Sequence, residues 1–286
     1  MTCVIARGVR AKRGGRPVLN GIDLEIDQGR VVGVMGLNGA GKSTLLQALV
    51  GLVPADGELS VLGRNPWRER AALMREVSFV ADVAIIPRWL RVSNALDYFD
   101  GVHPTFNRAR SYALLERSGI GLRDRVGSLS KGMIAQLQLA LAIGGDARLL
   151  VLDEPTLGLD ALYRKRFFDM LLDGLAEGRQ TVIIATHEID EIQHVLTDIV
   201  FLAGGRVVFQ CTSDDLEERF VEIHVHPEHI EIARAMGPMH ERPTIGGNVL
   251  MFDRGQRDRL SLLGDLRRPS VAALFAALVS NGASDS

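Results

Sequence analysis

Apolar and polar positions along the chain follow two periods, and the switches between them divide it into elements. Val4 to Arg10 and Ile22 to Ile26 read as short strands, with Gly14-Gly15 as a turn between them. Val31-Val32-Gly33-Val34-Met35 is a continuous apolar run of strand length, suited to a sheet buried on both faces. A glycine-rich stretch follows, and Ser43 to Val50 then reads as a helix. Val77 to Ala81 is another strand. From Val92 to about Gly144 the pattern is helical, broken near Gly119 and again at Gly127-Ser128. Leu149 to Leu152 and Thr181 to Ala185 are buried strands of the parallel type, and the helix between them is expected to end by about Gly178. Ile199 to Ala203 and Arg206 to Gln210 predict a hairpin around Gly204-Gly205.

After Cys211 the composition shifts. Ser213-Asp214-Asp215-Leu216 reads as a capped helix start, Phe220 to Val225 alternates like a strand, and Pro269 to Ser280 reads as an amphipathic helix. Residues 1–211 are thus expected to form one large domain, with a helical subdomain over about 83–145, and residues 212–286 a small α+β appendage. Only Asn281 to Ser286 read as disordered. No internal repeat is visible.

The chain has 47% hydrophobic and 24% charged residues, an ordinary globular balance. Its net charge of −2 gives no footprint for nucleic acid, so no nucleic-acid partner is expected. Cys3 and Cys211, far apart in sequence, suit a reducing compartment without a disulfide framework. No apolar run approaches the ~18–20 residues that span a bilayer. The first residues lack a signal-peptide core. Any membrane role is therefore expected to come through a partner.

The stretch Gly36-Leu37-Asn38-Gly39-Ala40-Gly41-Lys42-Ser43-Thr44 matches G-x-x-x-x-G-K-[ST] between a buried strand and a helix. Glycines let successive N–H groups curl around a phosphate chain, and the helix N-terminus favours negative charge. Lys42 is then expected at the β- and γ-phosphates, Ser43 on Mg²⁺ and Thr44 on the α-phosphate side. Asp153 and Glu154 end the strand Leu149-Leu150-Val151-Leu152, before Pro155. An acidic residue there organises Mg²⁺ and its waters, and Glu154 is placed to accept a proton from an attacking water. A solvated Asp-Glu pair is the plainer alternative.

The loop GLNGAGKST, the segment Leu129-Ser130-Lys131-Gly132-Met133, the strand LLVLDEP, the turn Thr156-Leu157-Gly158-Leu159-Asp160 and Ala185-Thr186-His187 resemble ABC-transporter ATPase subunits in order and spacing. The resemblance covers roughly residues 2–212. Its nearest likeness is to bacterial ATPases serving separate permeases, including antibiotic and multidrug exporters, through LSKGM and the stretch Val102 to Phe106. It implies an α/β fold: a P-loop NTPase ABC core of mixed sheet, antiparallel β subdomain and helical subdomain, plus the α+β appendage. It also implies that ATP lies between two chains, a second copy or a homologous ATPase subunit, with Ser130 and Gly132 of one chain on the γ-phosphate held by the other. His187 is implied at the γ-phosphate, orienting Glu154 or the water, and Asp160 in the turn that crosses the interface. The implied partner is a multi-span membrane permease, the implied ligands ATP and Mg²⁺, and the implied location cytoplasmic, peripheral on the inner face of the cell membrane. Ser130 also reads as an N-cap.

Three positions depart from the family pattern. Asp82 stands where a glutamine usually touches Mg²⁺ and the water; it is either an oxygen ligand, direct or through water, or a structural strand-end residue. Lys131 and Met133 replace a glycine and a glutamine of the usual LSGGQ; Lys131 either adds charge near the phosphate or faces solvent. No aromatic residue is available to stack on adenine in Ala11 to Arg16, so Arg13 is the stacking candidate, against a plain basic turn. His224, His226 and His229 also raise a metal reading, which nearby residues do not complete.

The leading expectation is the ATP-hydrolysing subunit of an exporter. The alternatives are a soluble ABC ATPase without a permease, of the iron–sulfur assembly type, an ABC ATPase acting on nucleic acid or the ribosome, and an inactive regulatory copy.

Overall fold

The computed structural model describes residues 1–81, 86–103, 105–175, 180–186, 192–254 and 257–282. Contacts divide the chain into one unit of Met1–Leu196 with Val200–Phe209 and another of Thr197–Ile199 with Gln210–Ser286.

The first unit opens on a hairpin of β1 (Thr2–Arg13) and β2 (Arg16–Asp27). Each strand is longer than the apolar pattern predicted. Their polar ends are held by pairing: Arg13 faces Arg16 across the turn. Gly14 and Gly15 both have positive φ, 56° and 80°, which is the requirement of a two-residue turn whose twist matches the strands. β3 (Val31–Met35) and α1 (Lys42–Leu49) follow. β4 (Asp56–Val61), which no apolar run announced, pairs antiparallel with β1 and gives a three-stranded sheet of order β2-β1-β4. The short α2 (Arg70–Leu73) leads to β5 (Val77–Val80).

The helical stretch resolves into α3 (Val92–Val102), α4 (Arg108–Arg117) and α5 (Lys131–Gly144). Sequence reading located the later breaks but missed the one between α3 and α4, where Asn107 caps α4 by accepting from the Arg110 N–H. Next come β6 (Leu149–Asp153), α6 (Ala161–Leu175), β7 (Thr181–Ala185), β8 (Asp198–Ala203) and β9 (Arg206–Thr212). The six-stranded sheet has the order β5-β6-β7-β3-β8-β9, with β5, β6, β7 and β3 parallel. Every residue of β6 and β7 is buried, which explains their unbroken apolar runs. Val4, Val9 and Ile22 of the antiparallel sheet share one core with Leu45 and Leu49 of α1 and with Val32, Val151 and Ile183. That core fixes the end of the parallel sheet where the phosphate loop and the Asp153-Glu154 pair emerge.

The second unit begins with α7 (Ser213–Arg219), whose cap is Thr212, accepting from the Asp215 N–H at 3.0 Å. β10 (Phe220–Val225), α8 (Ile230–Ala235), β11 (His240–Thr244), β12 (Gly247–Asp253), α9 (Arg257–Leu260), β13 (Gly264–Arg267) and α10 (Val271–Gly282) complete it. Its four strands form an antiparallel sheet of order β11-β12-β10-β13. Val221, Ile223 and Phe252 pack against Ala233, Leu260 and Leu263 on one face of that sheet.

Candidate functional site

β3 delivers the chain to the loop from Gly36 to Gly41, and α1 carries it away. Gly41, the N-cap of α1, has φ 106°, a conformation side-chain-bearing residues rarely take. Gly36 sits against the backbone of β8: a β-carbon there would meet the Leu202 carbonyl oxygen at 2.5 Å. The loop is also pinned from outside, since the Ala40 carbonyl accepts from the Gly205 N–H at 3.1 Å. No acidic residue occupies the first turn of α1, so its unpaired N–H groups meet no negative side chain of their own helix.

Lys42 and Thr44 are buried. The Lys42 ammonium donates to the Gly36 carbonyl at 2.8 Å and lies 3.3 Å from Glu154 Oε1. Ser43 Oγ donates to Asp153 Oδ1 at 3.0 Å. Residues 110 positions apart thus put a hydroxyl and a carboxylate side by side at the mouth of the loop, because β6 and β3 are strands of one parallel sheet separated only by β7. Both are hard oxygen donors, which suits a Mg²⁺ ion beside a phosphate chain. Glu154 leaves β6 with φ 47°, in the left-handed region unusual for glutamate, and its N–H is held by the Ala185 carbonyl at 2.8 Å. The strained backbone aims its carboxylate at Lys42.

A cavity of about 500 Å³ collects Arg13, Asn38, Gly39, Gly41, Lys42, Ser43, Thr44 and Glu154 on one lining. Arg13 arrives there at the end of β1, some thirty residues before the lysine, beside Val18. The volume lies within the ordinary range for small-molecule sites.

Ser130, Gly132 and Asp160 stand apart from that lining. Ser130 caps α5, its Oγ accepting from the Met133 N–H at 3.2 Å. Gly132 is buried against α6: a β-carbon there would lie 2.4 Å from the Tyr163 ring. Asp160 Oδ1 accepts from the Tyr163 N–H at 2.9 Å at the start of α6. Lys131 is exposed, as one of its two readings had it, and its ammonium also donates to the Leu157 carbonyl at 2.6 Å. With Glu154 and Leu157 it lines a second cavity of about 330 Å³. Sequence reading missed the Lys42–Glu154 pair, the Tyr163 contact and the Leu157 carbonyl; the lysine within LSKGM was the one available signal. Asp82 and His187 lie outside the described residues. No group of three or more potential metal-ligating side chains occurs among the described residues, those near His224 included.

Residues 19–157 match the family described as ABC transporter. The chain is 31% identical over 264 residues to a Nod factor export ATP-binding protein I of Cupriavidus pinatubonensis, covering 85% of this chain and 78% of that protein. It is 32% identical over 222 residues to a daunorubicin resistance ATP-binding protein of Streptomyces coeruleorubidus, covering 76% and 70%. A phosphonates import ATP-binding protein of a Nostoc species is 33% identical over 220 residues, covering 72% and 90%. Among solved structures, one titled as the ATP binding subunit of an ABC transporter superposes with a TM-score of 0.67 at 25% identity, covering 76% of this chain and 92% of that one.

Proposed function

Because the chain belongs to the ABC transporter family of ATP-binding proteins and is an ATPase of that family, we propose that it powers an exporter as one half of a nucleotide-sandwich dimer docked on a separate permease. The observation that carries the reading is the convergence of Lys42, Ser43 and Glu154 on one cavity, with Asp153 behind Ser43: the Ser43–Asp153 hydrogen bond is 3.0 Å and the Lys42–Glu154 ion pair 3.3 Å. ATP lies along the glycine loop, with Arg13 against its base.

Ser43 and Asp153 would hold Mg²⁺, which would neutralise charge on the phosphates. Lys42 exchanges Glu154 and the Gly36 carbonyl for the nucleotide's phosphates. That exchange releases the Glu154 carboxylate to take a proton from the attacking water. Without nucleotide, Lys42 keeps the Glu154 carboxylate paired at 3.3 Å. Ser130 and the first N–H groups of α5, together with the Asp160 turn, meet the nucleotide of the other subunit. A helix N-terminus with free donors favours such an anion. The family resemblance assigns His187 a role at the γ-phosphate and Asp82 one toward the metal; both lie outside the described residues.

The permease is received between β5 and α3. A cavity of about 610 Å³ there is lined by Phe79, Val80, Leu90 and Phe99, with Trp89 76% and Tyr98 64% exposed at its margin. No helix among the described residues is long and apolar enough to cross a membrane. In this reading the protein is cytoplasmic and peripheral on the inner face of the cell membrane. The export direction draws support from the names of the Nod factor and daunorubicin relatives and from LSKGM, against the importer among the relatives.

Glu154→Gln tests the chemistry. The variant is expected to bind ATP, hydrolyse it about 10²–10⁴-fold more slowly, as befits loss of a general base, and accumulate as an ATP-bound dimer by size-exclusion chromatography. Wild-type turnover in that variant would remove Glu154 from the base role. Co-purification with a multi-span protein, and efflux from vesicles containing both, tests the partner and the direction.

A further inference from the structure

We propose that Lys131 is a positioning residue that ties the start of α5 to the turn following the hydrolytic carboxylates, and so couples the two nucleotide sites of a dimer through one side chain. The proposal rests on the two-subunit reading above and adds regulation to it.

Lys131 is the first residue of α5, directly after the capping Ser130. A lysine is electrostatically misplaced there, because the positive end of the helix dipole repels its ammonium. The side chain turns away from the helix axis and places its Nζ 2.6 Å from the Leu157 carbonyl. The charged donor makes this a stronger bond than a neutral pair would. Gly158 lies directly beside it: a β-carbon there would stand 2.7 Å from the same Nζ.

From Leu157 the contacts continue inward without a gap. The Leu157 N–H is held by the Glu154 carbonyl at 3.1 Å, the Glu154 carboxylate by Lys42 at 3.3 Å, and Lys42 by the Gly36 carbonyl at 2.8 Å. One chain therefore carries a continuous path from the cap of α5 to its own phosphate loop. Lys42 is bound to Glu154 and the Gly36 carbonyl here, and in the reading above it moves to phosphate when nucleotide is present. A two-state element biased from both sites is what carries coupling, and the contact path joins this one to the cap of α5. In the dimer, α5 starts at the nucleotide of the partner while Lys42 and Glu154 serve the chain's own. When Lys42 moves to phosphate, the turn carrying Leu157 shifts, and Lys131 passes the shift to the cap of α5.

The test uses the full chain as wild type, Lys131→Met and Lys131→Arg. Hydrogen exchange of peptides spanning 155–161 is measured without nucleotide, and ATP hydrolysis across a range of ATP. Loss of one hydrogen bond predicts about fivefold faster exchange of the turn in Lys131→Met. Turnover is expected to fall by a similar factor with KM held within about twofold, and the Hill coefficient to move toward one. Lys131→Arg, which keeps a charged donor, restores all three. Unchanged exchange overturns the tie. Faster exchange with unchanged turnover and cooperativity overturns the coupling. A raised KM at unchanged kcat overturns the positioning role in favour of direct phosphate contact. Absence of hydrolysis in the wild type would count against the catalytic reading of the site, and the exchange measurement would still decide the tie.

Discussion

Gly132→Ala separates two reasons for a glycine at the start of α5. The family resemblance assigns Gly132 to close approach of the backbone to a phosphate of the other subunit. The fold supplies a second reason inside one chain. An alanine β-carbon would lie 2.4 Å from both Cγ and Cδ1 of Tyr163 and 2.8 Å from its Cβ. These are the root of the side chain rather than its tip, so the ring cannot swing clear without a new rotamer or a shift of α6. It would also give up its place under the Arg166 guanidinium, 5.7 Å from the ring centroid. Overpacking of this kind costs about 1–3 kcal/mol. Replacing glycine by alanine in a helix returns about 1 kcal/mol. The expected net effect is a loss of about 0–2 kcal/mol, or up to ~8 °C in Tm for a unit of this size.

The net value is small enough to be ambiguous, so the assay is a double-mutant cycle with Tyr163→Ala, followed by urea denaturation. Truncating the ring removes both 2.4 Å contacts and leaves the Tyr163 Cβ at 2.8 Å, so the relief is partial and the two changes are expected to be coupled by about 0.5–3 kcal/mol in the compensating direction. ATP hydrolysis is measured on the same four proteins. If the glycine serves phosphate as well as packing, stability recovers in the double variant and hydrolysis does not. Additive stabilities within about 0.5 kcal/mol would refute the packing argument. Recovery of both quantities would refute the phosphate role.

Other outcomes follow from the same site. Ser43→Ala removes the hydroxyl held on Asp153 at 3.0 Å; hydrolysis at limiting Mg²⁺ is expected to fall about 10–100-fold, while nucleotide binding without metal changes little by calorimetry. Arg13→Ala is expected to weaken ATP and GTP alike by about two- to fivefold, the worth of an exposed cation–π contact; a selective loss of ATP would argue for base-edge recognition instead. In the second unit, Arg219 donates to both oxygens of Asp253, at 2.8 and 2.6 Å, and those bonds hold the Asp253 carboxyl below its ordinary pKa. A depressed folded pKa means the contribution is complete above about pH 4, the unfolded value, and is lost as pH falls through the folded one. Acid unfolding of wild type and Asp253→Asn, followed at 25 °C from pH 6 to 2, should converge at the acid end; a constant gap between them would exclude the pair as the cause.

Local signals wrote much of this fold into the sequence. β3, β6 and β7 were legible because both their faces are buried, so their positions are apolar apart from Asp153 and Thr181 at strand ends, and the phosphate loop because its glycines and Lys42 follow such a strand. The β1–β2 turn was legible from Gly14-Gly15. β4 was not, since DGELSV has only two buried apolar residues, Leu59 and Val61, and owes its strand form to pairing with β1. β11 was missed for a related reason: HERPT has no buried residue and is extended because β12 lies beside it.

The sequence by itself determined the family, the order of motifs and the residue types that meet phosphate and metal, because each is set by spacing within a short segment. Tertiary structure alone decided which of those residues share a cavity. It put Ser43 on Asp153, Lys42 on Glu154 and Arg13 on the same cavity lining as the loop, and it left Ser130 and Gly132 elsewhere. It also decided what Lys131 does. The side chain's partner is a backbone carbonyl 26 residues away, and a carbonyl carries no mark of its position in the sequence. Such contacts depend on how α5 and the turn before α6 are packed, which is a property of the core beneath them rather than of either segment.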